Sequence, residues 1–164
     1  MNYIKIESSS LSNGLGWRVI LWCAGCENRC EGCHNKETWD EKAGKPFDEE
    51  TMELLLSLMD NQFIEGLTLT GGDPLFPANR ETVARIAEKV KQSFPNKNIW
   101  LYTGYDFEDV KDLEVMKHVD VCVDGRFIER LRDVSLAFRG SSNQRIIDVQ
   151  NSKDTVKVLD LDKR

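Results

Sequence analysis

Cys26, Cys30 and Cys33 stand in the spacing Cys-x-x-x-Cys-x-x-Cys, and a fourth thiol, Cys23, precedes them. Thiolates are ligands for soft metals and for iron–sulfur clusters. Three of them at this spacing can hold three irons of a [4Fe–4S] cube and leave the fourth iron without a protein ligand. A structural zinc site is the competing arrangement. It wants four thiolates or imidazoles in a tetrahedron, usually from two Cys-x-x-Cys pairs well separated in sequence. Here the pairs Cys23/Cys26 and Cys30/Cys33 are parted by residues 27–29 alone, so that wrapping is strained. The order also differs from the bacterial ferredoxin run, which ends in proline. Cys23 closes an apolar stretch and is expected to face the core. Cys122 lies in another apolar run and reads as a small buried hydrophobe.

A second candidate is Leu67-Thr-Leu-Thr-Gly-Gly-Asp-Pro74. An apolar strand ends in two glycines and then a carboxylate. Without a Cβ the main chain can be approached closely by a ligand, and open carbonyls beside Asp73 suit an ammonium group. A plain Gly-Gly turn is the simpler reading of the same residues.

These groups need elements to position them. Gly16 to Trp22 is a strand candidate running into Cys23, after a polar turn at Ser8 to Gly14. Asp48 to Met59 has a helical period in Met52, Leu55, Leu56 and Met59, with Asp48 as N-cap. Ile64 to Thr70 is a strand, Arg80 to Phe94 an amphipathic helix, and Ile99 to Thr103 a strand. Asp106 to Lys117 is expected to be a third helix, and Val119 to Asp124 a further strand. Arg145 to Val149 and Thr155 to Leu159 are two weaker strand candidates. Strands alternating with helices define an α/β chain with a mainly parallel sheet. Right-handed crossovers would curve it into an arc. A closed eight-unit barrel takes about 250 residues, so 164 residues predict an open partial (β/α) barrel, a single domain over 1–164. Its ligands belong at the C-terminal ends of the strands.

The chain is 40% hydrophobic and 30% charged, with 28 acidic and 22 basic residues and a net charge of −6. Nothing in that balance suggests a nucleic-acid surface. No stretch reaches the roughly 18 apolar residues of a membrane span, and the first residues are unlike a signal peptide. A cytoplasmic location is expected. In a reducing compartment clustered cysteines are metal or catalytic ligands rather than disulfide partners.

Cys26-x-x-x-Cys30-x-x-Cys33 followed by Gly71-Gly72-Asp73 resembles the radical S-adenosylmethionine superfamily. Trp100-Leu-Tyr-Thr-Gly104, Val123-Asp-Gly-Arg-Phe127 and Phe138-Arg-Gly-Ser-Ser-Asn-Gln-Arg-Ile-Ile-Asp148 are similar to the branch that activates anaerobic ribonucleoside-triphosphate reductases. The resemblance implies a [4Fe–4S] cluster on Cys26, Cys30 and Cys33, with S-adenosylmethionine chelating the fourth iron. It implies that Gly71, Gly72 and Asp73 hold the ammonium, and that Gly32, Cys33 and His34 line the adenine side. It further implies reductive cleavage to methionine and a 5′-deoxyadenosyl radical. That radical would take hydrogen from a glycine of the reductase large subunit. A flavodoxin-type protein would supply the electron. Many superfamily members carry Glu where Asp73 stands.

The alternatives are an activase of another glycyl-radical enzyme, a small-molecule radical enzyme, or a zinc-binding adaptor. Several neighbours have simpler readings. His34 can be a packing residue, Asn143 and Gln144 can either reach a nucleoside or brace a turn, and Trp100 and Tyr102 share a strand face that suits the core. Arg18 and Lys36 read as solvated charges, with carboxylate recognition as the alternative. His118 receives no role.

Overall fold

The computed structural model describes residues 1–162. Seven strands form one sheet: β1 (Asn2–Ser10), β2 (Arg18–Cys23), β3 (Lys45–Pro46), β4 (Gly66–Gly71), β5 (Asn98–Tyr102), β6 (Val121–Asp124) and β7 (Arg145–Asp148). Their order is β3-β1-β2-β4-β5-β6-β7. The central strands β2, β4, β5 and β6 run parallel. The flanking strands pair antiparallel, β1 and β3 on one side and β7 on the other. The sheet is therefore mixed with a parallel centre, and it stays open between its two edges.

Helices α1 (Glu49–Met59) and α2 (Arg80–Ser93) cover one face. The Asp48 carboxylate caps α1 by accepting the Thr51 N–H at 2.9 Å. This satisfies a donor that the first helical turn leaves free. Met52, Leu55 and Met59 of α1 and Val83, Ile86, Ala87 and Val90 of α2 pack against Val19, Leu21, Leu67, Leu69, Ile99 and Leu101 of the sheet. The alternate residues of the strands face the other way. There Trp100, Val123 and Ile146 form a smaller cluster, with Tyr102, Phe138, Leu159 and Leu161 against it.

Three expectations fail locally. The third helix is one short turn, α3 (Phe107–Val110), followed by a 3-10 turn at Glu114–Lys117. A continuous helix would have carried Glu114 and Lys117 onto the face that Phe107 and Val110 bury. An extended Leu113 instead delivers Val115 and Met116 to the core. Ser8–Ser10, read as turn, continue β1, because backbone pairing with β2 needs no particular side chain. Thr155–Leu159 makes one isolated bridge, Ile147 with Val158, rather than a strand.

Arg18 is the largest departure. It is fully buried, not solvated. Its guanidinium donates to Thr68 Oγ1 (2.7 Å), Leu15 O (3.0 Å) and Leu67 O (2.9 Å) and lies 5.5 Å from the Trp100 ring. Burial pulls its pKa down to about 10. It ties the 11–17 loop to the sheet face opposite the helices. No helix among the described residues is long and apolar enough to cross a membrane.

Candidate active site

The parallel register brings Cys23 beside Gly71 at one end of the sheet. The cysteine loop leaves β2 there, and its stem is laced to the turn after β4. Gly72 N donates to Cys23 O and Asp73 N to Gly25 O, both at 2.8 Å. Gly25 N and Cys26 N donate in turn to Thr38 O and Trp39 O. A Cβ on Gly71 would lie 2.4 Å from Cys23 N, and one on Gly72 would lie 2.5 Å from Gly25 O. The sequence reading gave that space to a ligand. The structure fills it with the chain's own backbone, so both glycines are needed before any ligand arrives.

Within the loop, Arg29 and Gly32 take positive φ (49° and 77°). Cys33 N closes a turn on Cys30 O, and Asn35 N points at Cys33 Sγ (3.4 Å). Cys26, Cys30 and Cys33 are half-buried free thiols. Burial raises the Cys26 thiol. Cys23 is fully buried in the helix-side core, and burial, reinforced by Asp73, pushes it up to about 12.

Among the described residues no group of three or more His, Cys, Asp or Glu side chains is gathered to hold a single metal ion. The donor set suits a cube better: three accessible thiols on one loop, with the fourth committed to the core. A four-thiolate zinc site would have to draw Cys23 out of that core.

Asp73 is 1% exposed. Its Oδ1 accepts from Leu75 N (2.9 Å) and the Thr103 hydroxyl (2.9 Å). Its Oδ2 accepts from Gly104 N (2.8 Å) and Asn28 Nδ2 (3.3 Å). Burial nevertheless raises its pKa to about 6 against these hydrogen bonds. The sequence assigned Asp73 to an ammonium. The structure gives both oxygens to protein donors, and the carboxylate joins the ends of β4 and β5 to the cysteine loop. Asn79 adds a clamp from Nδ2 to Ala24 O (2.8 Å) and Asp73 O (3.1 Å). Tyr105 donates to the Glu27 carboxylate, and Arg126 Nη2 to Asn28 O (2.7 Å).

Beside the loop opens a cleft of about 460 Å³, with Cys33 and His34 on one side and Tyr102, Phe127, Phe138 and Arg139 among its other walls. His34 is exposed, with its ring centroid 6.5 Å from that of Phe127. Among the described residues the buried Tyr102 hydroxyl and Arg139 Nε have no hydrogen-bond partner. Tyr102 is thus part of the cleft wall, not only of the core.

Asn143 and Gln144 brace turns: Asn143 Nδ2 donates to Arg126 O (2.8 Å), and Gln144 Nε2 to Gly125 O (2.9 Å). His118 and Lys36 lie outside these contacts. Sequence reasoning missed Asn28, Asn79 and Thr103. A usable signal was the Thr-Gly pair that ends both β4 (Thr70-Gly71) and the β5 segment (Thr103-Gly104).

A family model described as "4Fe-4S single cluster domain" matches residues 12–147. The fold and the thiol loop thus belong to a single-cluster iron–sulfur protein of the radical S-adenosylmethionine class. The chain is 48% identical over 146 residues to the anaerobic ribonucleoside-triphosphate reductase-activating protein of Enterobacteria phage T4, covering 89% of this chain and 93% of the relative. Proteins of the same name from Pasteurella multocida (40% over 150 residues, 88% and 95% covered) and Escherichia coli K12 (36% over 148 residues, 88% and 96% covered) are also similar. The chain belongs to the family of anaerobic ribonucleoside-triphosphate reductase-activating proteins.

Proposed function

We infer that this chain is the activase of an anaerobic ribonucleoside-triphosphate reductase and installs a glycyl radical on its large subunit. Family membership supports the partner, and the thiol loop supports the chemistry. The observation that carries the reading is three half-buried thiols on a loop stitched to the Gly71–Asp73 turn, next to a cleft. A reduced [4Fe–4S] cluster held by Cys26, Cys30 and Cys33 would supply the electron for cleavage of S-adenosylmethionine, and the nucleoside fragment would take hydrogen from the reductase glycine.

In this reading Cys26, Cys30 and Cys33 are the cluster ligands, and Cys23 is not. The backbone bonds of Gly72 to Cys23 and of Asp73 to Gly25 hold the turn in place, and the Gly71 and Gly72 carbonyls are the groups that would meet the ammonium. Cys33 and His34 bound the nucleoside side of the cleft, with Phe127 across from His34, and Gly32 precedes them on the loop against Glu129 and Phe127. Phe127 and Phe138 give the cleft an aromatic wall against which the nucleoside would pack. A flavodoxin-type reductant in the cytoplasm is the proposed electron source.

Anaerobic reconstitution tests this directly. The reduced protein is expected to contain iron and sulfide in equal amounts and to convert S-adenosylmethionine to 5′-deoxyadenosine. With the reductase present, a glycyl radical signal should appear. Zinc without sulfide, or cluster without 5′-deoxyadenosine, would refute the reading.

A further inference from the structure

Asn28 occupies a position the cluster-ligand reading leaves unused. Its Nδ2 lies 3.3 Å from Asp73 Oδ2 and 3.7 Å from Cys26 Sγ. A carboxylate and a thiolate are both acceptors, so this end of the amide must be the NH2 group, and its two hydrogens suffice for both. The side chain has a place made for it: a Cβ on Gly104 would lie 2.1 Å from this same nitrogen. The backbone is fixed as well, because Arg126 Nη2 holds Asn28 O at 2.7 Å. The side chain is half-buried, which limits competition from water.

We propose that Asn28 is a positioning residue that sets the reduction potential of the cluster by donating a hydrogen bond to Cys26 Sγ while Asp73 holds its amide in place. The proposal rests on the reading of Cys26 as a cluster ligand. A donor to a ligating sulfur stabilises the more negative, reduced cluster. The same amide bridges the Asp73 carboxylate and the sulfur, and it adds a side-chain donor to the backbone N–H groups of Asn28 and Arg29 that also face the Cys26 thiol.

The test is a spectroscopic redox titration of the reconstituted holoprotein, with iron and sulfide measured on each sample. Asn28→Ala and Asn28→Leu both remove the donor, and Leu keeps most of the volume. Each is expected to bind a full cluster whose one-electron reduction is about tenfold less favourable, about 59 mV more negative. Thr103→Val removes another donor to Asp73 that does not touch Cys26, and it should leave the potential near that of the wild type. An unchanged potential in Asn28→Leu with full cluster content would overturn the proposal. So would an equal displacement in Thr103→Val. Loss of iron from both Asn28 variants would also overturn it, by making Asn28 a prop for the loop alone. A wild-type protein that binds no cluster would instead bring down the ligand assignment beneath it.

Discussion

Gly71→Ala should separate two costs that the structure distinguishes. Gly71 has φ +111°, a conformation side chains rarely adopt, and its Cβ would sit 2.4 Å from Cys23 N and 2.5 Å from Cys23 O. Gly125 provides the control. Its φ is +93°, but the nearest atom to its Cβ is 3.6 Å away, at Asn143 Nδ2. Gly125→Ala therefore carries only the conformational cost, about 1–3 kcal/mol. Gly71→Ala carries that cost and a backbone overlap that no rotamer can relieve, about 1–3 kcal/mol more. The sum, roughly 2–6 kcal/mol, is a large share of the roughly 5–15 kcal/mol that holds a domain together. It falls where β2 and β4 end, so the stem of the cysteine loop should open first. Urea unfolding of the cluster-free, reduced proteins gives both differences, and iron content after reconstitution reports on the loop. A Gly71→Ala protein as stable as Gly125→Ala would refute the claim that backbone approach, rather than ligand space, requires this glycine.

Further outcomes follow from the thiols and from Asp73. Cys26→Ala, Cys30→Ala and Cys33→Ala should each abolish 5′-deoxyadenosine formation. Cys23→Ala should keep its cluster and lose about 1 kcal/mol of stability; equal loss of iron in all four would make the ligand assignment wrong. Asp73 has its pKa raised by burial from 3.8 to about 6, so the folded protein binds this proton more tightly than the unfolded chain does. Its contribution is fully present below about pH 4 and is lost as pH rises through about 6, a fall of about 3 kcal/mol in the cluster-free protein. Subtracting the pH profile of Asp73→Asn should isolate that fall. A difference that rises with pH over the same range would contradict the burial argument.

Hydrophobic period and strand-ending glycines located β2, β4, β5, α1 and α2 to within a few residues, since each buries a regular face. The pattern failed where burial is irregular. Phe107 and Val110 imply a helix, but only the arrangement of Val115 and Met116 around the core decides that it must break. Ser8–Ser10 carry no strand signal, and their pairing comes from a neighbour ten or so residues away in the chain. Arg18 could not be placed from its neighbours. Thr68, Leu67 and Leu15 surround it only after β2 and β4 align.

The cluster motif was legible because its spacing is local: a loop of eight residues, Cys26 to Cys33, specifies its own thiols. The inward partners of Asp73 were not, because Asn28, Thr103 and Gly104 come from two other strand ends. By itself the chain pointed to a [4Fe–4S] cluster and S-adenosylmethionine and to the alternation of its central strands and long helices, as these depend on residue type and short-range period. Tertiary structure alone decided that the carboxylate faces inward and that Tyr102 meets the cleft. Those facts depend on register between strands far apart in sequence, and register is set by packing.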